Sequence, residues 1–395
     1  MQIFIIILAF LLFIGLILIH EWGHYIVARR NGVKVEEFGL GLPPRAWGKR
    51  KKSGMILSLN WLPLGGFVKL KGEHDAATGR GSFGAASLGA KTKILLAGIT
   101  MNLLAGLAIL TVLAFIGLPK IITSQNLGEE QFSVASDTKI VHSEVIASAV
   151  QPGSPADKIG IKQRDAIVAI SGGGQTENIS EVKQLQTATR SFAGQQVQVT
   201  YKHNGKLLTK TTTLLSEGQV QASLKANKPK GYLGITDPIN FQILRSSWSA
   251  PVVAVGFTGQ LVKLTLEGLW HALSGLGSII AGSLTGNEEA RKNGQTIASS
   301  QVGGPVAIGA VLWNSGSLGL YFMLMVIAVI SLTLALINAL PIPALDGGRL
   351  TVILISRAFR TRLSKSTEEL IHGAGMAVLL GLILLITIVD VKRFL

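Results

Sequence analysis

ILIHEWGHYIVARR, residues 17–30, decides how this chain is read. It closes an apolar run, MQIFIIILAFLLFIGLILI, that begins at residue 1, and it sets His20 and His24 around Glu21 at the end of that run. On a helix, His-Glu-x-x-His puts both imidazoles on one face about one turn apart, so both can reach one zinc ion. The glutamate between them is placed to take a proton from zinc-bound water and pass it to a leaving amine. The bare pattern also arises by chance, as a pair of surface or core histidines. Its position weighs against chance, because a carboxylate at the centre of a membrane helix costs roughly 2.5–3.5 kcal/mol and ionisable groups there are usually functional. Gly23 keeps the same helical face open to a metal or a neighbouring backbone.

The rest of the composition points to a membrane. The 395 residues are 48% hydrophobic and 15% charged, against about 25% charged in an average soluble domain. The first apolar run has no basic segment before it and no small-x-small site after it, so a retained helix is expected rather than a cleaved signal. Four segments approach the ~20 residues that a bilayer requires: 2–24, 94–118, 321–340 and 373–390. The net charge of +15 is unevenly spread. Arg29, Arg30, Lys34, Arg45, Lys49, Arg50, Lys51 and Lys52 crowd one loop, Lys91 and Lys93 follow, and residues 349–365 are basic again. A nucleic-acid partner is one reading of such a cluster. Its place between two apolar spans favours the cytoplasmic charge bias of membrane proteins instead, so no nucleic-acid partner is expected. The N-terminus, the region 119–318 and the C-terminus then lie outside. The chain has no cysteine, which excludes disulfides and thiolate metal sites.

Between the first two spans, MILSLNWLPLGGFVKLKG at 55–72 reads as a β-hairpin about a Pro-Leu-Gly-Gly turn. Residues 128–228 change character, with Thr-rich alternation and an Asn-Gly turn at 204–205, and read as a soluble α+β domain. Residues 251–284 are apolar but interrupted by Gly, Lys and Glu; they read as one or two amphipathic helices on the outer membrane surface, with a fifth span as the alternative.

Two histidines leave a catalytic zinc short of its usual three protein ligands. Asp346, in INALPIPALDGGRL at 337–350, is the best candidate for the third. Pro341 and Pro343 end the third span, Gly347 and Gly348 allow a tight turn, and this end lies on the same side as His20. A plain helix-capping role for Asp346 stays open. Asn338, within the span, has an amide that could stabilise the oxyanion of a tetrahedral intermediate or simply tie helices together. His74, His142, His203, His271 and His372 lack a histidine or acid at ligand spacing and read as surface or interface residues, His372 being the hardest to set aside because it sits at a membrane boundary.

HEWGH at 20–24 together with NALPIPALDGG at 338–348 closely resembles the paired motifs of the site-2 intramembrane metalloproteases, and Phe13 and Ile17 suit the extended first motif. A PDZ-like stretch, GSPADKIGIKQRDAIVAISG, between spans two and three points to the bacterial branch that includes the regulator-of-sigma-E protease, with one PDZ module evident. VGGPVAI at 302–308 resembles the family's segment before its third span, and AGITMN at 97–102 stands where the family often has Ala-Gly-Pro before the Asn. The resemblance implies Zn2+ bound by His20, His24 and Asp346, with Glu21 as general base and Asn338 as the catalytic Asn of the second motif. PLGGFVK at 63–69 matches the family's membrane-associated hairpin, thought to pair with the unwound substrate strand. Gly65, Gly66, Phe67 and Val68, with Asn102, are therefore the expected substrate-binding residues; a purely structural hairpin is the alternative.

The expected fold is a polytopic α-helical membrane protein with four transmembrane helices, a membrane-associated β-hairpin and an inserted extracytoplasmic α+β PDZ domain. Its parts would be a membrane core at 1–118, a PDZ-like domain at 128–228, an outer membrane-surface region at 229–318 and a second membrane core at 319–395. The expected activity is zinc-dependent cleavage of single-pass membrane proteins, such as anti-sigma-factor-like substrates or remnant signal peptides. The site would lie near the cytoplasmic side of a bacterial inner membrane, in contact with membrane lipid, with the PDZ module binding peptide or excluding bulky substrates. A non-catalytic PDZ scaffold and a membrane metal transporter are the rivals.

Overall fold

The computed structural model describes residues 2–121, 128–225, 229–289, 291–294, 319–361 and 363–394. In chain order the elements are α1 (Gln2–Arg30), β1 (Val35–Arg50), β2 (Ile56–Leu70), α2 (Leu88–Ile116), β3 (Leu118–Pro119), β4 (Lys139–Ile146), β5 (Ala149–Val150), α3 (Pro155–Lys158), β6 (Ala166–Gly172), β7 (Gln175–Asn178), α4 (Val182–Ser191), β8 (Gln196–His203), β9 (Lys206–Thr213), α5 (Glu217–Lys225), β10 (Ile235–Thr236), β11 (Ile239–Arg245), α6 (Ala250–Thr285), α7 (Leu320–Ala339), α8 (Asp346–Ala358) and α9 (Lys365–Phe394). They form two compact units, Met1–Ala114 with Ala250–Leu395, and Phe115–Ser249.

In the first unit, glycines set how closely the helices approach. A Cβ on Gly23 of α1 would lie 2.7 Å from the Ala97 carbonyl oxygen of α2, and one on Gly106 of α2 would lie 2.8 Å from Leu332 of α7. Small residues at such crossings let backbones meet where lipid gives no hydrophobic drive for association. The contacts also fix direction. His24 bonds to Ile94 while His20 lies against Asn102, so α1 and α2 run antiparallel. Ser331 Oγ donates to the Asn102 carbonyl at 2.7 Å, and Ala328 faces Gly106, so α7 is antiparallel to α2 and parallel to α1. The ends of α1 and α7 therefore meet the start of α2.

That end is covered by polar contacts. Lys91, fully buried on the first turn of α2, pairs with Asp75. Arg357 of α8 reaches the same carboxylate at 3.5 Å, and the Asp75 amide donates to Glu368 of α9 at 2.9 Å. Phe83 lies beneath the cationic heads of both Lys91 and Arg349.

Among the described residues, five helices are long and apolar enough to cross a membrane: Ile7–Arg30, Leu88–Ile116, Ala250–Thr285, Leu320–Ala339 and Lys365–Leu384. Four overlap the expected spans. The fifth, α6, is one continuous helix of 36 residues where sequence suggested one or two surface helices. Its first turns keep a helical repeat through Gly256 and Gly259: Ala250, Val253, Ala254, Phe257 and Leu261 are all buried. The VGGPVAI segment at 302–308 lies outside the described residues.

The expected hairpin about Pro-Leu-Gly-Gly is corrected. The arms of β2 do not pair with one another; β1 runs between them. Glu37, Phe38, Gly39 and Leu40 pair on one side with Lys69, Val68, Phe67 and Gly66, and on the other with Ile56, Leu57, Ser58 and Leu59. The outer half of β1 then folds back, pairing Trp47 with Leu59 and Arg50 with Ile56. The lateral order is 45–50, 56–60, 35–42, 66–70. The glycine-rich FGLGL at 38–42 permits this: a Cβ on Gly39 would lie 2.4 Å from the Phe67 ring, and Gly41 takes φ +80°.

The second unit carries a seven-stranded antiparallel sheet of order β3-β11-β4-β6-β8-β9, with β7 also on β6, and a separate β5–β10 pair. Alternation makes these strands: in β8, Val197, Val199 and Tyr201 face inward between exposed residues. Their core includes Ile167, Ile170, Leu185 and Phe192. Asn204 and Gly205, both at positive φ, turn β8 into β9 as the Asn-Gly pair requires.

Candidate metal centre

Two elements from distant parts of the chain bring three donors to one point. His20 and His24 project from one face of α1, one turn apart. Asp346 opens α8, after the Pro341–Pro343 break that ends α7. His20 Nε2 and His24 Nε2 lie 3.2 and 3.1 Å from Asp346 Oδ2, and 3.2 Å from one another. Ligands held at about 2.0–2.2 Å from a tetrahedral zinc would stand about 3.3–3.5 Å apart, so this triangle is the size of a zinc face. Asp346 Oδ2 is buried and accepts no hydrogen bond, which leaves its lone pairs free for a cation.

The imidazoles are oriented from behind. His24 Nδ1–H donates to the Ile94 carbonyl at 2.8 Å; a carbonyl only accepts, so the proton sits on Nδ1 and Nε2 presents a lone pair. His20 Nδ1 faces the Asn102 amide at 3.4 Å. Asn102 is 1% exposed and its Oδ1 has no hydrogen-bond partner among the described residues. The amide faces His20 Nδ1 from the α2 side and so backs the ring that it touches. Asn102, expected among the substrate-binding residues, is thus placed behind His20. Gly98 makes the recess: a Cβ there would lie 2.4 Å from His24 Nε2 and 2.6 Å from His20 Cε1.

Glu21, between the histidines, is close enough to feel His24, His20 and Asp346, and the Val68 backbone lies beside its carboxylate. A Cβ on Gly66 would lie 3.2 Å from Glu21 Cγ, so the 66–70 edge of the sheet runs past the glutamate. Gly65, at φ +79°, turns the chain into that edge. Phe67 is committed inward, over Gly39. Asn338 is half-buried on the last turn of α7, and its neighbour Ala339 touches Gly347 just after Asp346.

The sequence profile of peptidase family M50 matches residues 8–382. A Clostridium perfringens protein provisionally named a zinc metalloprotease is 30% identical over 388 residues, 98% of each chain. The chain belongs to peptidase family M50, the site-2 proteases. A Campylobacter jejuni protein with the same provisional name is 27% identical over 385 residues, covering 96% of this chain and 90% of its own. The zinc metalloprotease RasP of Geobacillus kaustophilus is 23% identical over 469 residues, 98% of each chain. The cofactor of this M50 chain is Zn2+, and the donor triangle suits it.

Two of its residues escaped the sequence reading. Gly98 lies in the AGITMN stretch already singled out, but nothing marked its hydrogen as the floor of the histidine recess. His372, set aside for want of a ligand neighbour, is no ligand here. Its Nδ1 accepts from the Ala344 amide at 3.2 Å, two residues before Asp346, where Ala344 holds φ +83°. Gly375, one turn further along α9, lets the helix touch Pro343: a Cβ there would lie 2.5 Å from the Pro343 carbonyl oxygen. Sequence neighbours could not have revealed His372 or Gly375, because both act on a turn far away in the chain.

Proposed function

We propose that this M50 protease cleaves transmembrane segments of single-pass proteins within a bacterial inner membrane, near the cytoplasmic side. The observation that carries the reading is the His20–His24–Asp346 triangle with Glu21 beside it, placed where apolar helices end in a basic loop. Residues His20, His24 and Asp346 would hold the zinc, which supplies polarisation of the scissile carbonyl and acidification of a water. Glu21 takes the proton of the attacking water and returns it to the leaving amine nitrogen. Its reach toward both histidines and the acid fits that shuttle. Asn338 is the proposed donor to the oxyanion.

The open 66–70 edge supplies the substrate's binding strand through Gly65, Gly66, Phe67 and Val68. A peptide bond must be extended to be attacked, and an unwound transmembrane segment loses its own backbone partners. A sheet edge beside Glu21 gives those partners back. Four spans, α1, α2, α7 and α9, fit the direction of the helix contacts. Were α6 to cross as well, the chain from 286 to 319 would have to recross before α7 could begin on the outer side, so α6 is assigned to the outer surface. The extracytoplasmic unit, PDZ-like over 128–228, would bind peptide or bar bulky substrates. A scaffold or a metal transporter has no use for a carboxylate beside the triangle.

Glu21→Gln tests the reading in proteoliposomes holding a single-pass substrate. Zinc content should stay at one equivalent while cleavage falls by about 10⁴-fold or more, the scale of losing a group that acts in the transition state. Cleavage by Glu21→Gln at the wild-type rate sinks the proposal.

A further inference from the structure

The sheet has a second free edge, 45–50, on the side away from Glu21. From 38 to 72 the chain holds seven cations and no acid. Arg45 is committed to Glu37 at 2.6 Å. Lys49, Arg50, Lys51 and Lys52 gather at the tip, all exposed, and none has an acid within ion-pair distance among the described residues. Cross-strand neighbours share a face of a sheet. Trp47 with Leu59 and Lys49 with Leu57 therefore lie on one face, and alternation along β2 adds Trp61 to it. Trp47 is 53% and Trp61 72% exposed. A soluble surface has little reason to show two indoles and leucines beneath a tip of four unpaired cations.

We propose that the 45–62 end of this sheet is an anchor for anionic phospholipid headgroups of the membrane surface that faces it. A bilayer interface stacks an anionic headgroup layer on an apolar one, and amphipathic elements with a basic rim and buried aromatics are held by both together. A nucleic acid would match the cations and leave the aliphatic face in water. β1 begins five residues after α1 ends, so the basic tip is tied to the membrane boundary by a short chain. The anchor also has a consequence for the site. Four strand runs separate the two edges by about 14 Å at ~4.8 Å per strand, so fixing one edge at the headgroups sets the depth at which Gly66 meets Glu21. The inference goes beyond the protease reading and stands whether or not the chain cleaves anything.

The chain has no cysteine, so Ser53→Cys, in the exposed tip, gives the full-length protein a single attachment point for an environment-sensitive fluorophore. It is placed in nanodiscs of phosphatidylcholine, alone or with phosphatidylglycerol. The emission should shift to the blue when phosphatidylglycerol is present, and salt should reverse the shift. A Lys49→Gln, Arg50→Gln, Lys51→Gln, Lys52→Gln variant should show the response reduced several-fold. Equal emission in the two lipids overturns the proposal, whether it is blue in both (apolar insertion without headgroup recognition) or red in both. A shift indifferent to salt and to the four substitutions overturns it as well. None of these readings uses cleavage, so the outcome is separate from the Glu21→Gln test.

Discussion

His20 and His24 stand on a continuous helix, and α2 fixes both rings from behind through Ile94, Asn102 and the bare surface of Gly98. Asp346 stands on a turn. That turn is held by close backbone approach, with Gly347 against Ala339 and Gly348 against Ile342, and by His372 and Gly375 of α9. The imidazole half of the centre is thus rigid by secondary structure, and the carboxylate half is rigid only by what packs on it. Damage to the first should remove the recess itself. Damage to the second should loosen the triangle without erasing it.

The largest effect is expected at Gly98. A valine there puts branched carbons where the imidazoles lie, with even the first carbon 2.4 Å from His24 Nε2. Neither ring can retreat, because His24 is tied to Ile94 and α1 is already in contact with α2 at Gly23. Gly98→Val should purify without zinc and without activity, while Gly89→Val, where a Cβ meets nothing within 4 Å, should keep both. Metal analysis of the two side by side checks this. Full zinc in Gly98→Val would show that the recess is softer than its contacts imply.

The carboxylate half depends on the polar cluster that joins α2 to α8 and α9. Lys91 is fully buried and Asp75 is 3% exposed. Removing one partner of a buried pair strands the other charge and costs about 3–5 kcal/mol, whereas removing both is far milder. Lys91→Met, which leaves the buried Asp75 with Arg357 alone at 3.5 Å, should therefore melt below wild type in detergent, and Lys91→Met with Asp75→Leu, which releases the partly exposed Arg357, should recover part of the loss. A silent Lys91→Met would show that the cluster does not hold these helices together.

How much of this could be read from the chain follows the same division. The imidazole half was legible because His-Glu-x-x-His is local, and helical spacing alone puts both rings on one face. Asp346 was legible through a broken span, two prolines before it and two glycines after. The recess was not: a glycine inside an apolar span looks like every other glycine until the helix facing it is known. Lys91 reads as a cytoplasmic charge, but its burial against Asp75 depends on a fold in the 71–87 loop that no periodicity announces. The sheet misled for a related reason. A Pro-Leu-Gly-Gly turn invites pairing of the segments beside it, yet non-local FGLGL offered both segments a better partner. Local signals picked out the residues of the triangle; the contacts that hold them together are long-range.

The smallest effects should separate the two halves most cleanly, because His372 and Asn102 each act one step behind a donor. Losing such a partner commonly costs 10–100-fold in metal affinity. His372→Ala removes the acceptor for the Ala344 amide and leaves that amide unpaired beside a strained φ of +83°. His372→Asn offers an oxygen near the place of Nδ1 and should recover part of the loss, which a packing defect alone would not allow. Asn102→Ala should weaken zinc to a similar degree, and Asn102→Asp should keep it, since a carboxylate can only accept and would hold the His20 Nδ1 proton at least as firmly. Chelator competition followed by metal analysis gives all four affinities without reference to cleavage. The distinguishing measurement is the double variant. If the halves are independently held, His372→Ala and Asn102→Ala should multiply their losses, because each loosens a different corner of the triangle. If one loss masks the other, the triangle moves as a single body, and the contrast between a helix-built half and a turn-built half is wrong.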